Sequence, residues 1–99
     1  MPAKLTTDEV NQYSGTFEIE RLKRGFIERG GIDRIDCPKD TLRVFVSYVE
    51  TNEGEEKGDW RQIEKEHYGF WLGFYDVLEK NENRLVIGNN TLKATLYVP

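Results

Sequence analysis

Apolar and polar residues alternate along several short stretches of this chain, which is the pattern of strands that bury one face. The clearest stretch is 41–51. Its residues separate into two predicted faces, one with Leu42, Val44, Val46 and Tyr48, the other with Phe45 and Val49. Because both faces are partly apolar, the pattern predicts a central strand.

Two neighbouring stretches also predict strands. Residues 16–22 alternate in part, and a second run covers 25–37. The adjacent glycines Gly30 and Gly31 interrupt that second run. Two glycines inside a strand pattern predict a bulge or a sharp bend.

The alternation is strictest near the end of the sequence, where Leu92, Ala94, Leu96 and Val98 occupy every second position. A shorter apolar run at 84–87 precedes this strand, and Gly88-Asn89-Asn90 separates the two. Glycine and asparagine tolerate the positive φ angles of tight hairpin turns. The sequence therefore predicts a hairpin that pairs 84–87 with 91–98.

The segment 59–80 supports two interpretations. Read as a helix, its apolar residues fall at steps of three and four behind a capping Asp59. Read as strand, 68–78 is dense in aromatic residues, which favour strands, and its two glycines would each cost a helix about 1 kcal/mol relative to alanine. We predict a strand at 68–78, leave 60–66 unassigned and keep the helix open.

A short helix is predicted near the start, because Thr6 or Thr7 can cap it and acidic residues follow in its first turn. The fold class that follows is a single, mainly β domain of residues 1–99. It consists of a small antiparallel barrel or bent sheet of six to seven strands with this N-terminal helix. The alternative is an α+β fold, in which a helix at about 59–80 packs on an antiparallel sheet.

The segment Asn11–Ile19 reads Asn-Gln-Tyr-Ser-Gly-Thr-Phe-Glu-Ile and resembles the opening of lipocalin-like (calycin) barrels. In that family a short helical turn leads through an aromatic residue and a glycine into the first strand. The resemblance covers nine residues and departs from the family at Phe17, where tryptophan is usual. It implies a barrel whose open end carries a small apolar ligand.

Charge and composition narrow the classes of partner. The 99 residues carry a net charge of −4, which disfavours binding to nucleic acid phosphates. A run from Arg21 to Arg34 holds five basic and two acidic residues, and we interpret it as the solvated face of a strand pair. One cysteine permits no internal disulfide, and neither a signal peptide nor a membrane-spanning run is visible. These features predict a cytoplasmic protein.

The chain offers little catalytic or metal-binding chemistry. His67 is the only histidine, and Glu64 gives it a Glu-x-x-His spacing. A single copy of this motif supplies too few ligands for a metal site. Cys37 has no neighbouring group in sequence that would activate its thiolate. We therefore predict a protein that is not an enzyme, with no catalytic residues, no metal and no cofactor.

Aromatic residues are the most unusual feature, because six of them fall within sixteen positions from Trp60 to Tyr75. Uncovered aromatic residues mark interfaces or ligand grooves. The predicted binding residues are Trp60, Trp71 and Tyr75, together with Glu53, Glu55 and Glu56 of a polar loop. We predict a non-enzymatic protein–protein interaction module of the adaptor or inhibitor type; the alternative is a carrier of a small apolar ligand.

Overall fold

A computed structural model describes residues 5–37, 42–51, 61–64, 67–72 and 75–99, and gives the backbone alone for residues 26, 51, 61–64 and 67–72. One short helix is followed by strands: α1 (Thr7–Asn11), β1 (Thr16–Arg21), β2 (Phe26–Asp36), β3 (Leu42–Thr51), β4 (Arg61–Glu64), β5 (His67–Leu72), β6 (Asp76–Lys80), β7 (Arg84–Gly88) and β8 (Leu92–Tyr97). The strands form one antiparallel sheet in the order β4-β5-β3-β2-β1-β8-β7-β6. The predicted mainly β class with a short N-terminal helix is confirmed.

Helix α1 begins where the sequence places a cap. The Thr6 hydroxyl accepts a hydrogen bond from the backbone N–H of Glu9, and the Glu9 carboxylate accepts one from the backbone N–H of Thr6. This reciprocal capping box satisfies two donors that the helix itself leaves without partners. Val10, on the inner side of the helix, is fully buried.

The sheet is strongly curled. Four strand spacings separate β2 from β6 in the strand order, which is about 19 Å in a flat sheet. Yet the Cys37 sulfur, just after β2, lies 3.2 Å from the Tyr75 hydroxyl, just before β6. No ladder in the described residues joins the two outer strands, β4 and β6, so the sheet is curled but open.

One cluster of buried side chains lines the concave face of the curled sheet, and α1 packs over one end of that face. Ile19, Ala94 and Ile87 lie side by side across β1, β8 and β7 and are all fully buried. The N-terminal aromatic Tyr13 is buried at the same end as α1 and donates a hydrogen bond to the Asn81 carbonyl oxygen at 2.8 Å. The concave side is therefore a filled core wherever its side chains are described.

Strand β3 is central, as predicted, but the predicted face of two of its residues is wrong. Tyr48 points outwards with 54% of its surface exposed, and Val49 packs against the core. The pairing with β2 skips Ser47 on β3 and Asp33 on β2. Each bulge adds one unpaired residue and reverses the side-chain alternation beyond it, so Tyr48 leaves the face of Leu42. The predicted irregularity at Gly30 and Gly31 is confirmed at this place.

The described residues of 59–80 are strand except for Tyr75, none of them is helical, and the α+β alternative is wrong for them. Strand β4 lies in the unassigned 60–66, and β5 and β6 stand where a single strand was predicted at 68–78. The described residues therefore contain eight strands where six to seven were expected. The backbone of 68–72 is strand, as the aromatic-rich composition predicted, and it pairs with β3. Backbone pairing with β3 decides the part 68–72, because its periodicity alone fits both helix and strand.

The C-terminal hairpin is confirmed. Arg84 pairs with Tyr97, and Gly88 pairs with Lys93 at the turn. The Asn89 side chain accepts hydrogen bonds from the backbone N–H groups of Thr91 and Leu92, which stabilises this turn. Within the described ranges no helix is long and apolar enough to cross a membrane.

Candidate functional site: a tyrosine groove on the outer face

The convex face of the sheet, opposite the core, carries a shallow open groove of about 230 Å³. We call it the tyrosine groove, and its lining residues are Thr16, Phe17, Glu18, Arg29, Gly30, Tyr48, Glu50 and Tyr97, of which Phe17 has its side chain in the core on the opposite face. Four neighbouring strands, β3, β2, β1 and β8, contribute these residues. Since the four lie in the middle of the sheet, every strand under the groove is paired on both sides.

Two small residues separate two aromatic ones along the first row of the groove. Tyr48 is paired with Gly31, and Gly31 with Thr16. Tyr97 follows on the next strand, where its carbonyl accepts a hydrogen bond from Gly15 N–H at 2.8 Å. The row is therefore high at both ends and low in the middle, which makes the depression.

Glycine is required beside this row because the chains approach closely there. A methyl group on Gly30 would stand 2.0 Å from the Tyr48 carbonyl oxygen and 3.0 Å from the Phe17 ring. The Tyr48 ring itself lies over Gly31, where an added Cβ would be 2.9 Å from ring carbon Cε1. The two glycines thus allow both the bulge and the outward placement of Tyr48.

The second row of the groove is charged. Arg29 of β2 is paired with Glu18 of β1 on one side and with Glu50 of β3 on the other. Opposite charges across neighbouring strands are placed to attract one another. Yet in the described part of the chain none of these three side chains forms an ion pair or a hydrogen bond. Their hydrogen-bonding capacity is open to solvent or to a ligand.

An adjacent pair on the same face behaves differently. Arg84, paired across the strands with Tyr97, donates hydrogen bonds to the Glu79 carboxylate. These bonds lower the pKa of Glu79 below its ordinary value of 4.5 and raise the pKa of the Arg84 guanidinium above its ordinary value. One cation on this face is thus committed to a carboxylate of the same chain, whereas Arg29 is not.

The basic run predicted between Arg21 and Arg34 does not form one solvated surface. Arg21 lies on the concave face and is buried, and its Nε donates to Glu28 Oε1 at 2.8 Å, while Nη2 donates to Oε2 at 3.3 Å. Arg34 stacks over the Phe45 ring, with its guanidinium carbon 4.1 Å from the ring centroid. Strand alternation and the Asp33 bulge send these basic residues to different faces.

The predicted binding residues divide into three groups. Glu53, Glu55, Glu56 and Trp60 lie outside the described residues. Trp71 lies in β5, paired with Arg43 of β3, with only its backbone described. Tyr75 is partly buried, packs against the core and has its hydroxyl beside the Cys37 sulfur.

The remaining candidates for chemistry also have a place in the fold. Glu64 and His67 are paired with each other in the β4–β5 hairpin, so the helical geometry that a Glu-x-x-His motif requires is not present there. Cys37 is a buried free thiol whose backbone N–H donates to the Thr7 hydroxyl. Among the described residues no group of three or more potential ligands could hold a metal ion.

Sequence reasoning missed both the groove and the buried ion pair. For the pair a signal was present: Arg21 continues the period-two pattern of Phe17 and Ile19, which predicts an inward side chain. For the groove the signal was weaker. The double glycine marks the irregular place in β2, but the position of the bulge in β3 decides that Tyr48 turns outwards.

The chain matches no protein-family model, and comparison with curated proteins and with solved structures finds no similar protein. The resemblance of residues 11–19 to lipocalin-like barrels therefore rests on those residues and on the coarse agreement of a small, curled antiparallel sheet.

Proposed function

We propose that this chain is a non-enzymatic protein-binding domain that engages its partner through the tyrosine groove. The observation that carries this proposal is the charged row of Glu18, Arg29 and Glu50, whose side chains are unpaired in the described part of the chain although strand pairing sets them side by side. Tyrosine and arginine are enriched where protein interfaces hold most of their binding energy.

The dimensions of the groove favour a protein over a small molecule. Pockets for drug-sized ligands have volumes of about 300–1,000 Å³ and enclose most of the ligand. A shallow depression of about 230 Å³ suits one or two side chains of a partner whose remaining surface spreads over the surrounding strands.

The packing of the concave face also favours a protein partner over a small-molecule ligand. A carrier of the kind that the lipocalin resemblance implies needs its cavity there. The described side chains of that face instead contact one another, and Phe17, Ile19 and Leu96 are buried to 2% exposure or less. A filled core favours a domain that binds by its surface.

The charge of the groove argues against nucleic acid. Two carboxylates stand beside one guanidinium, and phosphate binding gains its affinity from clustered cations. Trp71, which belongs to β5, and the acidic residues Glu53, Glu55 and Glu56 stay predicted contributors to binding of the same partner.

A peptide selection followed by matched variants tests this proposal. Peptides displayed on phage are selected against the full chain, and the affinities of the enriched peptides are measured by calorimetry. Tyr48→Ala is expected to weaken binding by about 2 kcal/mol or more, the size typical of an aromatic anchor. Leu78→Ala is the control, because Leu78 is 57% exposed, close to the 54% of Tyr48, but lies on the outer strand β6. Equal affinities of the two variants would refute the groove as the binding site.

A further inference from the structure

We propose that the tyrosine groove receives a basic side chain, an arginine or a lysine, from an extended segment of the partner protein. This inference rests on the proposed function and adds the chemistry of the partner to it. Three features of the groove support it: the excess of carboxylates, the exposed tyrosine rings and the spacing of the strands.

Carboxylates outnumber basic groups both within the groove and over the whole chain. Glu18 and Glu50 flank Arg29, which leaves one negative charge in excess within the groove, and the whole chain carries −4. Neither glutamate has a side-chain partner among the described residues. A guanidinium presents paired N–H donors that fit a carboxylate, so either glutamate offers a ready acceptor.

The tyrosine rings favour the same ligand. Tyr48 is half-exposed at one end of the groove, and Tyr97 is partly buried at the other. The face of an aromatic ring attracts a cation placed within about 6 Å of its centre. A basic side chain entering between the two rings gains this attraction and the carboxylate contact together, whereas a neutral donor gains only an uncharged hydrogen bond to a carboxylate and an acidic side chain gains neither.

The spacing of the strands matches a single extended segment. Three strand spacings separate Tyr48 from Tyr97, which is about 14 Å. This separation is between the two backbones, and the Tyr48 ring, which lies over Gly31, occupies part of it, so the groove has room for one extended segment at most. Arg29 alone would attract an acidic residue, so an acidic partner is the principal rival.

The test uses three blocked peptides that are identical except at one position, which holds arginine, citrulline or glutamate. Citrulline keeps the shape of arginine without its charge. Each peptide is titrated into the ¹⁵N-labelled full chain. We expect the arginine peptide to shift the amides of Glu18, Tyr48 and Glu50, the citrulline peptide to bind roughly fivefold more weakly, as the loss of one charged contact implies, and the glutamate peptide to leave these amides unmoved.

Charge-neutralising variants complete the test. Glu18→Gln and Glu50→Gln each keep the shape of the side chain. Each is expected to weaken binding of the arginine peptide roughly three- to tenfold. Glu20→Gln is the matched control, because Glu20 is an exposed residue of the same strand paired with Lys93, outside the groove. Its affinity is expected to stay at the wild-type value.

The possible failures are distinguishable. If the peptides shift the groove amides but citrulline or glutamate binds as tightly as arginine, the basic partner is refuted and the binding groove stands. If neither these peptides nor the selected ones shift the groove amides, the proposed function itself is refuted, and this inference with it.

Discussion

Strands β1 and β2 carry an arginine–glutamate pair on each face, and the two pairs differ in burial and in hydrogen bonding. On the concave face, Arg21 and Glu28 are buried and joined by two hydrogen bonds. On the convex face of the same two strands, Arg29 and Glu18 are paired in register, but their charged groups form no ion pair in the described residues.

Solvent explains the contrast. A buried charge without a counter-charge costs several kcal/mol, so burial enforces the pairing of Arg21 with Glu28. An exposed pair contributes about 0–1 kcal/mol, since water solvates both groups and salt screens them. The fold therefore gains little by closing the outer pair, and its charges stay available to a partner.

The largest expected effect concerns the concave face. Glu28→Ala removes the buried counter-charge of Arg21 and should lower the free energy of unfolding by about 3–5 kcal/mol. Glu18→Ala, on the outer face, should change it by less than about 0.5 kcal/mol. Urea unfolding measures both. Equal losses of unfolding free energy in Glu28→Ala and Glu18→Ala would contradict the distinction between the two faces. Recovery of unfolding free energy in the double variant Arg21→Met with Glu28→Leu would support it.

A smaller effect is expected where β2 approaches β3. Gly30→Ala places a methyl group 2.0 Å from the Tyr48 carbonyl oxygen, and the strands must move apart to admit it. The expected loss is roughly 1–3 kcal/mol in the same urea experiment. Gly25→Asn is the control, because this turn residue has φ 74°, which asparagine tolerates, and open space around it. A neutral Gly30→Ala would contradict the close contact beneath the groove.

Helix α1 gives a pH-dependent prediction. The Glu9 carboxylate accepts hydrogen bonds from Lys80 and from Thr6, and these bonds lower its pKa from 4.5. A carboxyl whose pKa is lower in the folded state stabilises the fold above its ordinary pKa, and that contribution is lost as the pH falls through the lowered value. Glu9→Gln should therefore melt below the wild type near neutral pH and together with it in strong acid. A melting difference that persists in acid would point to a cause other than the charge of Glu9.

The smallest effects are expected in the groove. Glu18→Gln and Glu50→Gln remove charges that have no side-chain partner in the described residues, so each should alter stability by less than about 0.5 kcal/mol. Thermal melts at low and moderate salt provide the measurement. A loss above 1 kcal/mol in either variant would show that the fold already uses these carboxylates.

Much of the fold could be predicted from local pattern, because the hairpins and the helix cap depend on residues close in sequence. The threonine–glutamate spacing at α1, the alternation in β8 and the asparagine turn before it each determine their own local structure. The segment 59–80 could not be assigned in the same way, since its periodicity fits helix and strand alike. The pairing of its part 68–72 with β3, distant in sequence, decides the outcome there.

The candidate site was largely beyond prediction for a similar reason. Its residues come from four strands, and only the order of the strands brings them together. The position of the Ser47 bulge in β3 then decides whether Tyr48 faces the core or the solvent. The burial of Arg21 could have been predicted from its position, because Arg21 is in phase with the buried Phe17 and Ile19. The basic composition of the run around it instead suggested a solvated side chain.

The central claim, that the convex face is the recognition surface, is tested most directly by mapping a selected peptide on the ¹⁵N-labelled full chain. We predict that the perturbed amides cluster at Thr16, Glu18, Arg29, Tyr48 and Tyr97, with those of the C-terminal hairpin turn unmoved. Perturbations that instead spread through Ile19, Ala94 and Ile87 would place the ligand against the concave core and contradict the account.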